Sequence, residues 1–541
     1  MIGQVSEKKM HLIRLTLVIS WFVLIFSLFY DPISPHLTDP NNFMSPFRST
    51  YSCVLLQADC LEALSYPMGS RIFWSMVVPC AVLIVLVLGH ETWRRICPLY
   101  TLSQIPRALG IKPLLKIKKN QWLLKNHLYL QFGLLFTGLN IRILFASSDP
   151  IMLGLLLLTT IIAAIFINAL YGGRSWCHYV CPFGVVQMIF TGPRGLFGSD
   201  AHTGPRQKIA QSECRTVDQN KGIEKSACVG CKMACMDKDA EKSYWHYLTH
   251  PGRKFVQYGY LGLVIGFFLY YGLCAGNFEY YYSGAWTHKP DAFGTLLSPG
   301  FYLLGHPIAI PKLVACPLTL GLSVVLSYII CSKLEKAYRA YLIRHNVQMS
   351  PEQVLHRLFS ICSFLAFNFF FIYGGRSEIM KLPIPIQFLF DGFIIAVSSF
   401  WLYRSWKRSA EQYHRESLMH NFRRQLQKLS IDFSQVLEGR SLEQLTVDEL
   451  YILAKVIPNV TQQDRLQIYQ DVLQEELEEG RCQPAAALEI LQPIREKLGL
   501  STQEHDTILS EIGQEKPHLL YPPKSPYIIT VDYRQITNPV V

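Results

Sequence analysis

Charged side chains are scarce in this chain. Asp, Glu, Lys and Arg make up 17% of its 541 residues, compared with about 25% in typical soluble domains. Hydrophobic residues make up 50% and aromatic residues 13%. Because so little charge cannot cover an ordinary water-exposed surface, the composition predicts a polytopic membrane protein.

Three motifs of soluble enzymes are missing: a glycine-rich phosphate loop, a dinucleotide fingerprint and a hydrolase nucleophile motif. No catalytic residue is therefore assigned. The formal net charge of +11 would suggest nucleic acid as the partner of a soluble chain. Here the excess of Lys and Arg lies between apolar segments, where it sets orientation in a bilayer, so no nucleic-acid partner is expected.

Eight apolar segments approach the ~20 residues that a bilayer core requires. They are residues 11–30, 72–92, 128–146, 150–171, 256–276, 312–331, 357–374 and 384–403. The loop 94–126 is rich in Lys and Arg and has no acid, whereas 31–71 carries only Arg48 and Arg71. Positive-inside bias predicts a multi-pass protein of the cell (inner) membrane, with both termini and residues 174–254 in the cytoplasm.

A polar stretch between the fourth and fifth segments carries four clustered thiols, spaced as Cys214-x13-Cys228-x2-Cys231-x3-Cys235. Such a set can hold one [4Fe-4S] cluster or one zinc ion, because both need four soft anionic ligands. We expect one [4Fe-4S] cluster, with zinc, a redox dithiol or plain structural cysteines as alternatives. A reducing compartment favours metal over disulfides here.

Two further thiols precede this set in Trp176-Cys177-His178-Tyr179-Val180-Cys181-Pro182. Their i, i+4 spacing predicts that both sulfurs lie on one face of a helix end, as buried cysteines, a neighbouring dithiol or alternative ligands. A weak repeat of this segment occurs at Trp93–Pro98, in which aligning the Cys-Pro pairs matches Trp93 with Cys177.

Two further groups of residues, a cysteine pair and three histidines, each allow two interpretations. Cys53 and Cys60 fall in the first external loop and are either a disulfide or two buried thiols. His90, His127 and His178 can bind haem or hydrogen-bond a quinone, but no pair stands out at one face and one depth.

Helices that end in Cys-x3-Cys-Pro, followed by a cytoplasmic cysteine-rich loop, resemble the NapH/NosR-type membrane polyferredoxins of nitrate- and nitrous-oxide-reductase systems. The resemblance covers roughly residues 70–255. It implies electron transfer through [4Fe-4S] clusters, often between quinol and a partner redox protein. This chain has only one complete Cys-x3-Cys-Pro motif and one four-cysteine set, and it adds a C-terminal helical domain.

The predicted fold is an all-α polytopic membrane protein of about eight helices, with a cytoplasmic iron–sulfur loop domain and a C-terminal soluble helical domain. The boundaries are 1–173 for helices one to four, 174–255 for the cysteine-rich region, 256–408 for helices five to eight, 409–514 for the helical domain and 515–541 for an extended tail. Helices are expected at 461–479, 484–498 and 502–513.

The expected function is iron–sulfur electron transfer between a quinol pool or cytoplasmic donor and a partner redox protein. The second interpretation is a membrane sensor or assembly factor that acts through the C-terminal domain and a cytoplasmic partner of that domain. A thiol-based metal-ion reductase is the third.

Overall fold

A computed structural model describes most of the chain. The described residues are 7–49, 53–198, 215–217, 224–226, 235–287, 293–428, 437, 440–445, 449–450, 452–453, 461–478 and 484–520. They divide into two compact units, and most of the second unit lies after Ala410. The proposed ligands Cys214, Cys228 and Cys231 lie outside the described residues.

Eight helical segments among the described residues are long and apolar enough to cross a membrane, which is the number of candidate spans that the sequence predicts. Their main helices are α1 (Glu7–Phe29), α4 (Val78–Ile96), α7 (Gln121–Ile141), α8 (Pro150–Tyr171), α11 (Pro251–Ala275), α13 (Lys312–Arg344), α14 (Pro351–Phe369) and α16 (Ile384–Trp406). Three of these segments also contain a π-helical turn, at Phe73–Val77, Arg142–Ala146 and Phe370–Gly374.

Shorter elements connect the long helices of the first unit. The helices are α2 (Ser34–Thr38), α3 (Met68–Ile72), α5 (Pro98–Ser103), α6 (Ile105–Ala108), α9 (Phe183–Thr191), α10 (Ala240–Tyr247), α12 (Glu279–Tyr282) and α15 (Arg376–Ile379). The strands form three antiparallel hairpins: β1 (Cys53–Leu56) with β2 (Asp59–Glu62), β3 (Arg215–Val217) with β4 (Glu224–Ser226), and β5 (Pro299–Leu303) with β6 (His306–Pro311). The described structure is therefore mostly helical, as predicted.

Helix α11 lies at the centre of the first unit. In its most apolar stretch 78% of the residues are buried, compared with 17% in α1 and in α16. Small residues permit this burial, since a Cβ on Gly262 would lie 2.2 Å from the Ser323 carbonyl oxygen of α13. The outer helices instead expose large apolar side chains such as Phe26, Ile162 and Phe388, which suits contact with lipid.

Helix α4 bends at Gly89, where φ is 75° and ψ is 179°. This backbone region is essentially restricted to glycine. The bend frees the Leu86 carbonyl from its helical bond, and it accepts from the Leu196 N–H at 2.8 Å instead. A Cβ on Gly195 would lie 2.4 Å from the Gly89 nitrogen, so the two backbones approach too closely for a side chain on Gly195.

The open question about Cys53 and Cys60 is answered by the first hairpin. The two residues form a disulfide across the hairpin, in which Cys53 pairs with Glu62 and Cys60 with Leu55.

The second unit has its own helices and its own hydrophobic core. The helices are α17 (Ala410–Leu426), α18 (Gln462–Glu478), α19 (Pro484–Ile490), α20 (Gln492–Lys497), α21 (Thr502–Glu515) and α22 (Pro517–Leu520). Phe422, Tyr469 and Leu473 are among the fully buried core residues. The helix expected at 484–498 is split at Leu491, because Pro493 lacks the N–H that would continue the ladder.

Candidate metal centre

The two cysteine–proline segments of the repeat have nearly the same backbone. Each starts at a glycine, with φ/ψ of 75°/179° at Gly89 and 77°/173° at Gly172. Each ends at a cysteine before proline, with φ/ψ of −58°/118° at Cys97 and −54°/119° at Cys181. We call Gly89–Pro98 the first copy and Gly172–Pro182 the second copy.

The second copy contains one additional residue. A tryptophan stands four positions after the glycine in both copies, at Trp93 and Trp176, but the cysteine follows it by four positions in the first and five in the second. A π-helical turn over Trp176–Val180 accommodates the extra residue, and the Cys181 N–H donates to the Trp176 carbonyl at 2.7 Å. Matching Trp93 with Cys177 was therefore wrong, and the α-helical i, i+4 geometry predicted for Cys177 and Cys181 is replaced by a π turn.

Side chains hold the two copies together. The Trp93 and Phe183 rings lie 4.8 Å apart between centroids. The Asn168 amide donates to Ser103 Oγ at 2.8 Å, and the Gln104 amide donates to the Gly173 carbonyl at 2.8 Å. These contacts fix the helix that follows Cys97 against the turn that precedes Cys177.

Asp237 joins both copies to the end of the cysteine-rich loop. His90 Nε2 of the first copy lies 3.0 Å from Asp237 Oδ1, and His178 Nε2 of the second lies 2.8 Å from Oδ2. Arg174 also forms an ion pair with Asp237, which is only 4% exposed. Burial by itself would raise the pKa of this carboxyl, but Arg174 and then His178 hold it well below its usual range.

The histidine interpretation changes accordingly. Sequence analysis found no pair of histidines at one depth, yet His90 and His178 bind the same carboxylate. Gln187 of α9 further orients His90, with 2.8 Å between its Oε1 and His90 Nδ1. Both ring nitrogens of His90 contact protein oxygens, which disfavours this residue as a haem ligand.

The Cys177 and Cys181 thiols lie at this junction. Arg174 contacts the Cys177 sulfur; burial nevertheless raises the pKa of Cys177 to about 12. Burial likewise raises the pKa of Cys181 and of Cys235. Soft sulfur donors beside a buried guanidinium suit an anionic iron–sulfur cluster, and binding must release the thiol protons because thiolates are the ligands.

The described part of the chain contains no group of three or more His, Cys, Asp or Glu side chains that is arranged to hold a single metal ion. Of the proposed four-thiol set only Cys235 is described, and it is partly buried two residues before Asp237. The contacts of Asp237 and Arg174, and the nearness of Cys97 to Cys177 and Cys181, were not predicted from the sequence. The shared glycine-to-tryptophan spacing of the two copies was the signal that could have indicated the last of these.

Comparison with known proteins gives one family match. Residues 153–199 match the model of a 4Fe-4S binding domain. The match includes Cys177 and Cys181 and ends before Cys214. No curated protein and no solved structure matches the chain. The matched segment makes this chain similar to iron–sulfur, ferredoxin-like proteins, and it coincides with the second copy, α8 and α9.

Proposed function

We propose that this protein is a membrane-bound electron-transfer protein that carries electrons through a [4Fe-4S] cluster. The observation that supports it most is the 4Fe-4S binding-domain match over residues 153–199. The two cysteines of the matched segment lie between the end of α8 and the start of α9. They lie beside a network of Arg174, Asp237 and two histidines. A [4Fe-4S] cluster supplies one-electron chemistry, and its potential depends on burial and on hydrogen bonds to sulfur.

The ligands are proposed from two groups of cysteines. One group is the loop set, Cys214, Cys228, Cys231 and Cys235; the other is Cys177 and Cys181, as a neighbouring dithiol or as alternative ligands. A quinol pool or a cytoplasmic donor is the proposed source of electrons, and a partner redox protein is the proposed acceptor.

Metal analysis of anaerobically purified, full-length protein tests this function. We expect about four iron atoms and four acid-labile sulfides per chain, with an electron paramagnetic resonance signal after reduction by dithionite. Duroquinol should also reduce the cluster if quinol is the donor. Stoichiometric zinc without sulfide would reject the electron-carrier function, whereas reduction by dithionite alone would reject only the quinol.

We also propose that the cysteine loop and both termini are cytoplasmic. The Cys53–Cys60 disulfide, between the first two spanning segments, supports this orientation because disulfides persist in oxidising compartments. After mild reduction, an impermeant maleimide applied to intact cells should label Cys53 and Cys60 but not Cys228. Labelling of Cys228 from outside would reverse the orientation.

A sensor or assembly factor is the second candidate function. It is favoured by the separate hydrophobic core of the unit that starts at Glu411, to which a cytoplasmic partner would bind. Truncation before Glu411 distinguishes the two: an electron carrier should keep its iron and its reduction by the donor, and a sensor should lose its downstream response.

A further inference from the structure

Three cysteines of the first unit share one local arrangement. The sulfur of each faces the backbone N–H groups of the second and third residues that follow it. These residues are Leu99 and Tyr100 for Cys97, Phe183 and Gly184 for Cys181, and Asp237 and Lys238 for Cys235. N–H groups directed at sulfur stabilise a thiolate, and such bonds are among the interactions that tune iron–sulfur clusters.

Cys97 lies close to both cysteines of the matched segment. It interacts electrostatically with Cys177 and with Cys181. Leu99, two residues after Cys97, packs in the same apolar cluster as Cys177 and Cys181. The repeat thus brings a third thiol to the junction, from a helix more than 70 residues upstream of Cys177.

The number of thiolates that a [4Fe-4S] cluster needs points to Cys97 as a ligand. A [4Fe-4S] cluster is held by four cysteine thiolates, but the matched 4Fe-4S segment 153–199 contains only Cys177 and Cys181. Two ligands must therefore come from outside it. Among the described cysteines, the fold brings Cys97 to these two.

Cys235, the cysteine of the four-thiol set that lies within the described residues, is the candidate for the fourth ligand. It interacts electrostatically with His178, the neighbour of Cys177. Asp237 anchors this end of the loop, because it binds Arg174 and both histidines. The anchor therefore holds Cys235 beside the second copy.

We propose that Cys97, Cys177, Cys181 and Cys235 are the four ligands of the [4Fe-4S] cluster. This assignment rests on the proposed function; it keeps Cys235 of the loop set and replaces Cys214, Cys228 and Cys231 with Cys97, Cys177 and Cys181. Each thiol releases its proton on binding, and the Arg174 guanidinium beside Cys177 offsets part of the negative charge that four thiolates bring.

Single substitutions in the full-length protein test the assignment. We compare three substitutions, Cys97→Ser, Cys214→Ser and Cys228→Ser, with the control Cys80→Ser. Cys80 is an exposed cysteine of α4, the helix that ends directly before Cys97. We expect Cys97→Ser to lose most iron, sulfide and visible absorption, while the other three keep them. Retention by Cys97→Ser with loss from Cys214→Ser and Cys228→Ser would overturn the proposal in favour of the loop set.

Alkylation of the unsubstituted protein decides the question if Cys97→Ser fails to fold. N-ethylmaleimide labelling, read by mass spectrometry, is compared before and after the cluster is removed with an iron chelator. Cys97 should react only after removal, and equal reactivity in both states would overturn the proposal. Unsubstituted protein without iron or sulfide would reject the proposed function itself, which is a different result from iron that survives Cys97→Ser.

Discussion

The two copies of the glycine-to-proline segment share their backbone and differ by one residue. The first copy supplies one thiol and one histidine, Cys97 and His90. The second supplies two thiols, an arginine and a histidine. Its additional residue is accommodated by a π-helical turn at the end of the copy. Single-residue insertions of this kind are frequent at functional sites. Counted from the glycine, Cys177 stands where the first copy has Arg94, so the second thiol is a different residue at a shared position, and Cys181 keeps the backbone geometry of Cys97 despite the insertion.

The copies also differ in how they reach the carboxylate that joins them. His90 follows Gly89 directly, whereas Arg174 follows Gly172 by two positions and His178 lies in the π turn. Asp237 therefore receives one group from the first copy and two from the second. Removing it should weaken the link between the copies, to which the contacts of Trp93, Asn168 and Gln104 also contribute, whereas changing either glycine should disturb only one of them.

The largest effect is expected from Asp237→Asn. Removing one member of a buried ion pair leaves its partner charged and unpaired, which costs about 3–5 kcal/mol. Arg174, 2% exposed, would be that partner. We expect the free energy of unfolding in detergent to fall by this amount, measured by denaturant titration with intrinsic fluorescence.

Asp239→Asn is the matched control. Asp239 caps α10 by accepting from the Lys242 N–H at 2.9 Å, and an asparagine oxygen can cap equally well. It should change stability by less than about 1 kcal/mol. Equal losses from the two substitutions would mean that Asp237 does not join the copies.

The glycines come next in size. Both Gly89 and Gly172 adopt a backbone that is essentially restricted to glycine, and a residue forced into it costs about 1–3 kcal/mol. A Cβ on Gly172 would in addition lie 2.5 Å from Pro113 Cγ, whereas one on Gly89 would meet nothing closer than 3.4 Å. Gly172→Ala should therefore lower the unfolding midpoint more than Gly89→Ala. The reverse order would show that packing at Pro113 contributes nothing.

A feature could be predicted where neighbouring residues in the sequence specify it, and could not where it depends on contacts between residues far apart in the chain. The eight spans were predictable because each needs about 20 consecutive apolar residues. Helix α9 (Phe183–Thr191) is too short for that signal, although seven of its nine residues are buried. The contacts of Asp237 with His178 and His90 span 59 and 147 residues, and no local pattern encodes them. The π turn was locally readable, from equal glycine-to-tryptophan but unequal tryptophan-to-cysteine spacing.

The smallest effect is expected from Gln187→Leu, which tests the support that only the first copy receives from α9. Gln187 is 7% exposed, and its amide oxygen lies 2.8 Å from His90 Nδ1. Leucine would leave that buried nitrogen unpaired, at a cost of about 1 kcal/mol. Since Gln187 and Asp237 bind opposite nitrogens of one imidazole, the two substitutions should not be additive in a double-mutant cycle. We expect a coupling energy above about 0.5 kcal/mol, as found for residues of one hydrogen-bond network. Additive effects would mean that Asp237 binds His90 without help from Gln187, so that each copy reaches the carboxylate on its own.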